Sequence, residues 1–270
     1  MSSRRPPWPL VATGVVLLAF LYLPIAVVVL YAFNDGRNLT WPPEGLSLRW
    51  FEAMLDDPGF SAAFTTSVKV ALLSTAISTV AAVLASLAFS RSRWWLPKAI
   101  ESAARLPIMV PPVLIGVALL TTIAAAKMRL SLATVVAGHV VLIIPYVIVV
   151  VLARLRSFDL RLEQAARDLG ARPPVVLGRV TLPVIGPAVL GGALLAFGLS
   201  FDEIYVTSFT AGSDPTLPLF VLSKLRRIVD PTINAVATVM LVIPWIALGL
   251  SALIMGRSLR PRPDEAHEDD

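Results

Sequence analysis

The chain has no cysteine and only two histidines among its 270 residues. No disulfide framework or thiolate metal site can form, and a histidine-only metal centre lacks enough ligands. Charge is scarce too: 15% of residues are charged while 56% are hydrophobic, and the mean hydropathy is +0.77. That balance excludes an ordinary soluble domain and reads as an integral membrane protein. The formal charge of +5 does not indicate a nucleic-acid partner, because the basic residues lie between apolar runs instead of along one soluble face. No G-x-x-x-x-G-K-[ST] phosphate loop occurs, so no ATP chemistry and no cofactor is expected of the chain itself.

What is abundant is apolar sequence in long runs. Crossing a hydrocarbon core of about 30 Å takes about 20 helical residues. Six runs meet that length, near Leu10–Phe33, Val68–Phe89, Leu106–Ala126, Leu130–Leu152, Val184–Phe209 and Ala235–Met255. The expected fold is therefore an all-α integral membrane protein with six transmembrane helices. The first run follows Arg4 and Arg5 like a signal peptide, but exceeds a signal's apolar core and is expected to remain as an anchor.

Lys and Arg near span ends set orientation, being retained in the cytoplasm. The N-terminus, the second-to-third connection (Arg91, Arg93, Lys98, Arg105), the fourth-to-fifth connection and the C-terminus (Arg257, Arg260, Arg262) together hold fifteen. The opposite side holds seven: Arg37, Arg49, Lys127, Arg129, Lys224, Arg226 and Arg227. Both termini are expected to be cytoplasmic.

The fourth-to-fifth connection is unlike a plain turn. Leu162, Ala165, Ala166 and Leu169 recur at helical spacing on one face, with Arg161, Glu163, Gln164, Arg167 and Asp168 on the others. Asp159 suits the start of this helix and Gly170 its stop, before Arg172-Pro173-Pro174, which is expected to break the helix. About ten residues are too few for a stable isolated helix, so this one must pack on something. Periodicity alone leaves two readings open: a helix lying on the membrane surface or a helix docking a partner protein.

This stretch, with Gln164-Ala165-Ala166-Arg167-Asp168-Leu169-Gly170 and then Leu182-Pro183, resembles the signature loop of binding-protein-dependent ABC transporter permeases. Gln164 departs from the family's usual Glu, and Glu163, one position earlier, points about 100° away on a helix. Further likeness lies in LPIMVPPVLIGVALL from Leu106, GHVVLIIPYVIVVV from Gly138, SFDEIYVTSFTAG from Ser200 and PTINAVAT from Pro231, the last two similar to the spermidine/putrescine-type branch. The resemblance covers about Ala62 to Arg257. It implies a type I ABC importer permease fold with a cytoplasmic coupling helix. It also implies a second permease subunit, two ATP-binding subunits, an extracellular or periplasmic substrate-binding protein and location in a bacterial inner membrane. On this reading 1–61 is an anchor span and outer loop, 62–257 the transport core and 258–270 a cytoplasmic tail. Glu163, Gln164, Ala165, Ala166, Asp168, Leu169, Gly170, Leu182 and Pro183 form the ATPase-coupling loop, passing motion through Arg172–Leu182 to the fifth span.

Charges near a span are costly and so mark candidate sites. Asp202 and Glu203 are placed about 27 Å along the fifth span counted from Val184, near its outer mouth, where carboxylates can attract a cationic amine. The alternative is that they mark the interface or pair with Lys224 or Arg226. His139 is a lone intramembrane histidine, either bonding neighbouring helices or serving the substrate path, and Tyr146 is a further path candidate. Gly191, Gly192 and Gly198 favour close packing of the fifth span. Trp41, Trp50 and Phe51 suit interfacial anchoring. Two rival classes find less support: no self-similarity of the two halves suggests a secondary transporter, and no nucleophile-base constellation suggests a membrane enzyme.

Overall fold

A computed structural model of the chain describes residues 8–38, 40–92, 95–226 and 231–258. Arg4, Arg5, Arg93, Arg227, Arg260, Arg262 and the tail PDEAHEDD lie outside the described residues. Twelve α-helices are described: α1 (Trp8–Ala32), α2 (Arg49–Leu55), α3 (Pro58–Arg91), α4 (Trp95–Ala104), α5 (Pro112–Ala125), α6 (Leu132–Arg156), α7 (Arg161–Asp168), α8 (Pro173–Val176), α9 (Leu182–Phe201), α10 (Tyr205–Thr210), α11 (Leu217–Leu225) and α12 (Thr232–Ser258). The all-α expectation holds. Two compact units emerge, one from Met1–Ser61 with Phe220–Val242 and one from Ala62–Leu219 with Ile243–Asp270.

In the first unit α1 is apolar all round and almost wholly exposed, with 6% of its spanning window buried. Such a surface is tolerable only in lipid. The loop after it is tied down by Asn34, whose Oδ1 accepts the Glu44 amide at 2.9 Å and whose carbonyl accepts the Trp50 indole N–H at 2.7 Å. Trp50 is therefore buried, and the expectation that it anchors an interface is corrected; Trp41 is exposed. Asp57 accepts a 2.8 Å ion pair from Lys224, so Lys224 is committed to Asp57 and not to Asp202 or Glu203.

In the second unit α6 is the central helix, the most buried of the candidate spans. Leu142, Ile143, Val147, Ile148, Val151 and Leu152 pack against Ala82 of α3 and against Ile185 and Ala196 of α9. α9 approaches closely at Gly192, where an added Cβ would meet Val147 at 3.1 Å. At Gly191 and Gly198 no atom of the described chain lies within 4 Å of an added Cβ, so the close approach within this chain is at Gly192. α10 seats against α5 and α6 through two other glycines. A Cβ at Gly116 would come to 2.6 Å from Phe209, and one at Gly138 to 2.8 Å from Val206.

Five helical stretches are long and apolar enough to span, namely Val11–Ala32, Pro58–Arg91, Leu132–Arg156, Pro173–Phe201 and Thr232–Gly249. The third expected span is not one helix. Trp95–Met109 and Pro112–Ala125 meet at 107°, so Leu106–Ala126 is broken, and counting the bent pair as one span restores six. Pro111 and Pro112 explain the break: proline lacks the amide that continues the hydrogen-bond ladder and pushes its predecessor out of helical geometry. Pro145, by contrast, lies inside α6 without ending it.

The fifth span is also redrawn. It starts at Pro173, eleven residues before the expected Val184, and ends at Phe201, before the expected Phe209. As expected, α7 is not continued through Arg172-Pro173-Pro174: Arg172 is extended, and the two prolines open the next helix, where a missing first-turn amide costs no bond. α8 joins α9 through a π-helical turn, Leu177–Thr181.

Candidate functional site

The site is built on the short helix α7. Its capping position is Leu160, one residue after the expected Asp159, and Asp159 shapes the start from outside the helix, its Oδ1 accepting the Arg161 amide at 3.0 Å. The Arg161 guanidinium also donates to this carboxylate and holds it below the usual carboxylate range. Its end is a Schellman stop: the Gly170 amide bonds the Arg167 carbonyl at 2.8 Å, and the Ala171 amide bonds the Ala166 carbonyl at 3.0 Å. Gly170 has φ +83°, a left-handed conformation that a side chain would strain. Both ends are thus set by local chemistry that the sequence announces.

The two faces of α7 are the reverse of those expected of a surface helix. Leu162 is 50% exposed and Leu169 89%, and Ala165 and Gln164 are exposed beside them. Ala166 is half-buried. Glu163 instead points inward, 4% exposed. Its Oε1 accepts Arg91 Nη2 of α3 at 2.5 Å and Thr181 Oγ1 of the π-helical turn at 2.6 Å, while Oε2 lies 3.6 Å from Arg167. A buried carboxylate is stable only with such partners. Asp168 and Gly170 are exposed, and Leu182 and Pro183 form the first turn of α9 directly after Thr181.

A second buried carboxylate sits in the same unit. Glu101 of α4 accepts hydrogen bonds from Arg105 and, at 2.7 Å, from Arg156 at the end of α6. Sequence reasoning missed this cluster, and it missed Arg91 and Thr181. The spacing Glu101–Arg105 is a recognisable i,i+4 pair. Arg91 and Thr181 carry no local signal toward Glu163.

The four path candidates are not alike. His139 is fully buried, with Nδ1 2.8 Å from Ser200 Oγ and Nε2 2.7 Å from Thr207 Oγ1. Ser200 in turn bonds Ser74 of α3 at 2.8 Å, so one imidazole links α3, α6, α9 and α10. Glu203 is buried and its Oε1 accepts the Val206 amide at 2.7 Å, satisfying the first turn of α10. Asp202 is exposed at the end of α9. Tyr146 is half-buried on α6. The break Asp202–Ile204 between α9 and α10 therefore presents one open carboxylate and one engaged in structure.

Comparison with known proteins places the chain in a family. Residues 77–265 match the family described as binding-protein-dependent transport system inner membrane component. The chain is 34% identical over 241 residues to the spermidine/putrescine transport system permease protein PotC of Haemophilus influenzae, covering 88% of this chain and 93% of that protein. It is 35% identical over 274 residues to the putrescine transport system permease protein PotI of Escherichia coli strain K12, covering 96% and 94%. Among solved structures it is similar to a bacterial ABC transporter that imports the acidic polysaccharide alginate, with TM-score 0.70, 17% identity and 92% and 96% of the two chains covered. It is also similar to the inward-facing MetNI methionine ABC transporter, with TM-score 0.60, 14% identity and 73% and 95% covered. At those identities the structures speak for the fold alone, that of an ABC importer permease. The chain belongs to the family of inner membrane components of binding-protein-dependent transport systems.

Proposed function

We propose that the chain is one permease of an ATP-driven importer for a polyamine or a related amine. It works beside a second permease and two ATP-hydrolysing subunits, and takes solute from an external binding protein. The observation that carries the coupling part is the open apolar face of α7. Leu162, Ala165 and Leu169 are offered outward on a helix whose ends and inner face are fixed. A rigid, unpartnered apolar face rimmed by Gln164, Arg167 and Asp168 suits a cleft in a protein partner. Residues 62–257 are then the transport core, 1–61 an anchor with its outer loop and 258–270 a tail, with both termini and α7 cytoplasmic.

The polyamine part is supported by the names of the permeases to which the chain is similar. Asp202 suits this cargo, being an exposed carboxylate at the break after α9. Glu203, His139 and Tyr146 flank it in sequence or on α6 as lesser candidates for the path.

The test is uptake into proteoliposomes holding the assembled transporter, with its binding protein and ATP, using putrescine and spermidine against an anion. Ala165→Trp puts bulk on the exposed docking face, about 160° around the helix from Glu163 and its inner hydrogen bonds. Uptake is expected to fall at least about tenfold while the permease still inserts, the loss corresponding to about 1.4 kcal/mol or more of coupling. Undiminished uptake in this variant means α7 is not the docking helix. Uptake of the anion in place of the amines overturns the cargo and leaves the importer standing.

A further inference from the structure

We infer that Glu163 is the internal joint of the transporter: its carboxylate fastens α7 both to Arg91 at the end of α3 and to Thr181 in the π-helical turn below α9. This rests on the reading of α7 as the docking helix and adds the residues through which its displacement reaches two spans.

The argument begins with how little else holds α7. Its eight residues are too few for a helix to keep its place by backbone bonds alone. Its leucines face away from the unit, so hydrophobic packing does not hold it either. What remains on the inner face is one carboxylate, and a single oxygen of it takes both Arg91 Nη2 and Thr181 Oγ1, at 2.5 and 2.6 Å. Hydrogen bonds to an ionised acceptor are short, strong and directional. Away from water they are costly to break, because the carboxylate would be left buried with fewer partners.

The point of attachment matters as much as the bond. Thr181 is fully buried and is the last residue of the π-helical turn. Such turns carry one residue more per hydrogen-bonded loop than an α-helix and recur where a helix adjusts its register. A displacement of α7 therefore enters the Pro173–Phe201 helix sideways, at its π-helical turn. The covalent path through Arg172 enters the same helix at its first residue, eight positions before Thr181. Arg91 ends α3, so the same carboxylate carries α3 along. Glu163 is on this account a positioning residue and touches neither nucleotide nor solute.

The assembled transporter in proteoliposomes tests this with Thr181→Val, which removes the hydroxyl with little change of shape, and Thr181→Ser, which restores it. Two quantities are read: ATP hydrolysed per putrescine imported, and retention of the ATP-hydrolysing subunits on purification through the permease. A third is independent of the cargo. Gly178 is exposed with nothing within 4 Å of a Cβ placed on it, and the chain has no cysteine, so a nitroxide on Gly178→Cys reports the π-helical turn alone.

With Thr181→Val the ATP-hydrolysing subunits are expected to stay bound, ATP hydrolysed per putrescine to rise about tenfold, and the ATP-dependent change in the nitroxide spectrum to be lost. Thr181→Ser is expected to restore both. Unchanged coupling and an unchanged ATP response in Thr181→Val, repeated in Arg91→Met, overturn the joint while leaving docking intact. Failure of the reading beneath it looks different: the Ala165→Trp permease retains its ATP-hydrolysing subunits and its uptake, and the joint falls with it.

Discussion

Among single residues, the two neighbouring acids after α9 part company. Glu203 is buried with its carboxylate on the Val206 amide, whereas Asp202 is exposed at the helix end. Glu203→Ala strands a buried amide in the first turn of α10 and is expected to cost about 1–3 kcal/mol of stability, read as a lower melting temperature in detergent. Asp202→Asn is expected to leave the melting temperature unchanged and to lower amine uptake several-fold. If the two variants exchange these phenotypes, the division of labour is wrong. Nothing in the adjacent pair itself tells the two acids apart, since what separates them is a turn of chain, not residue type. Gln164 is another such case. It stands where the family's Glu is usual, and it is exposed, while the carboxylate one position earlier is turned inward onto Arg91 and Thr181.

For whole elements, what was legible follows from how local the determining chemistry is. The stop of α7 at Gly170 could be read because a Schellman motif needs a left-handed residue at a fixed offset. Its inner face could not be read, because Glu163 answers to residues 72 and 18 positions away. Apolar length located the spans, yet the prolines acted in different ways: Pro112 and Pro173 each open a helix after a break, while Pro145 lies inside α6 without ending it. The difference is position within the hydrogen-bond ladder, which composition does not reveal. The seating of α10 was equally hidden, since the glycines it needs are Gly116 and Gly138 on other helices. Gly138→Val forces a side chain into Val206 and is expected to destabilise the core by about 1–3 kcal/mol, measured by thermal denaturation. Gly191→Val, facing open space, is the matched control expected to be neutral.

At the scale of the whole molecule, the expected orientation can be measured cleanly because the chain is free of cysteine. Ser157 and Ser213 are both exposed, one before α7 and the other after α10. A membrane-impermeant thiol reagent added to intact spheroplasts is expected to label Ser213→Cys and spare Ser157→Cys, with the pattern reversed in inverted vesicles. Labelling of Ser157→Cys from outside would put α7 on the wrong side for any ATP-hydrolysing partner. The continuous helix Pro173–Phe201 carries a consequence of its own, for its 29 residues make a rod about 43 Å long, more than a hydrocarbon core of about 30 Å requires. A rod pivoting near its middle through about 5° swings its two ends about 2 Å in opposite senses. One small tilt, started at the foot near Thr181, would thus be felt at both membrane faces with opposite sense, without breaking a backbone hydrogen bond.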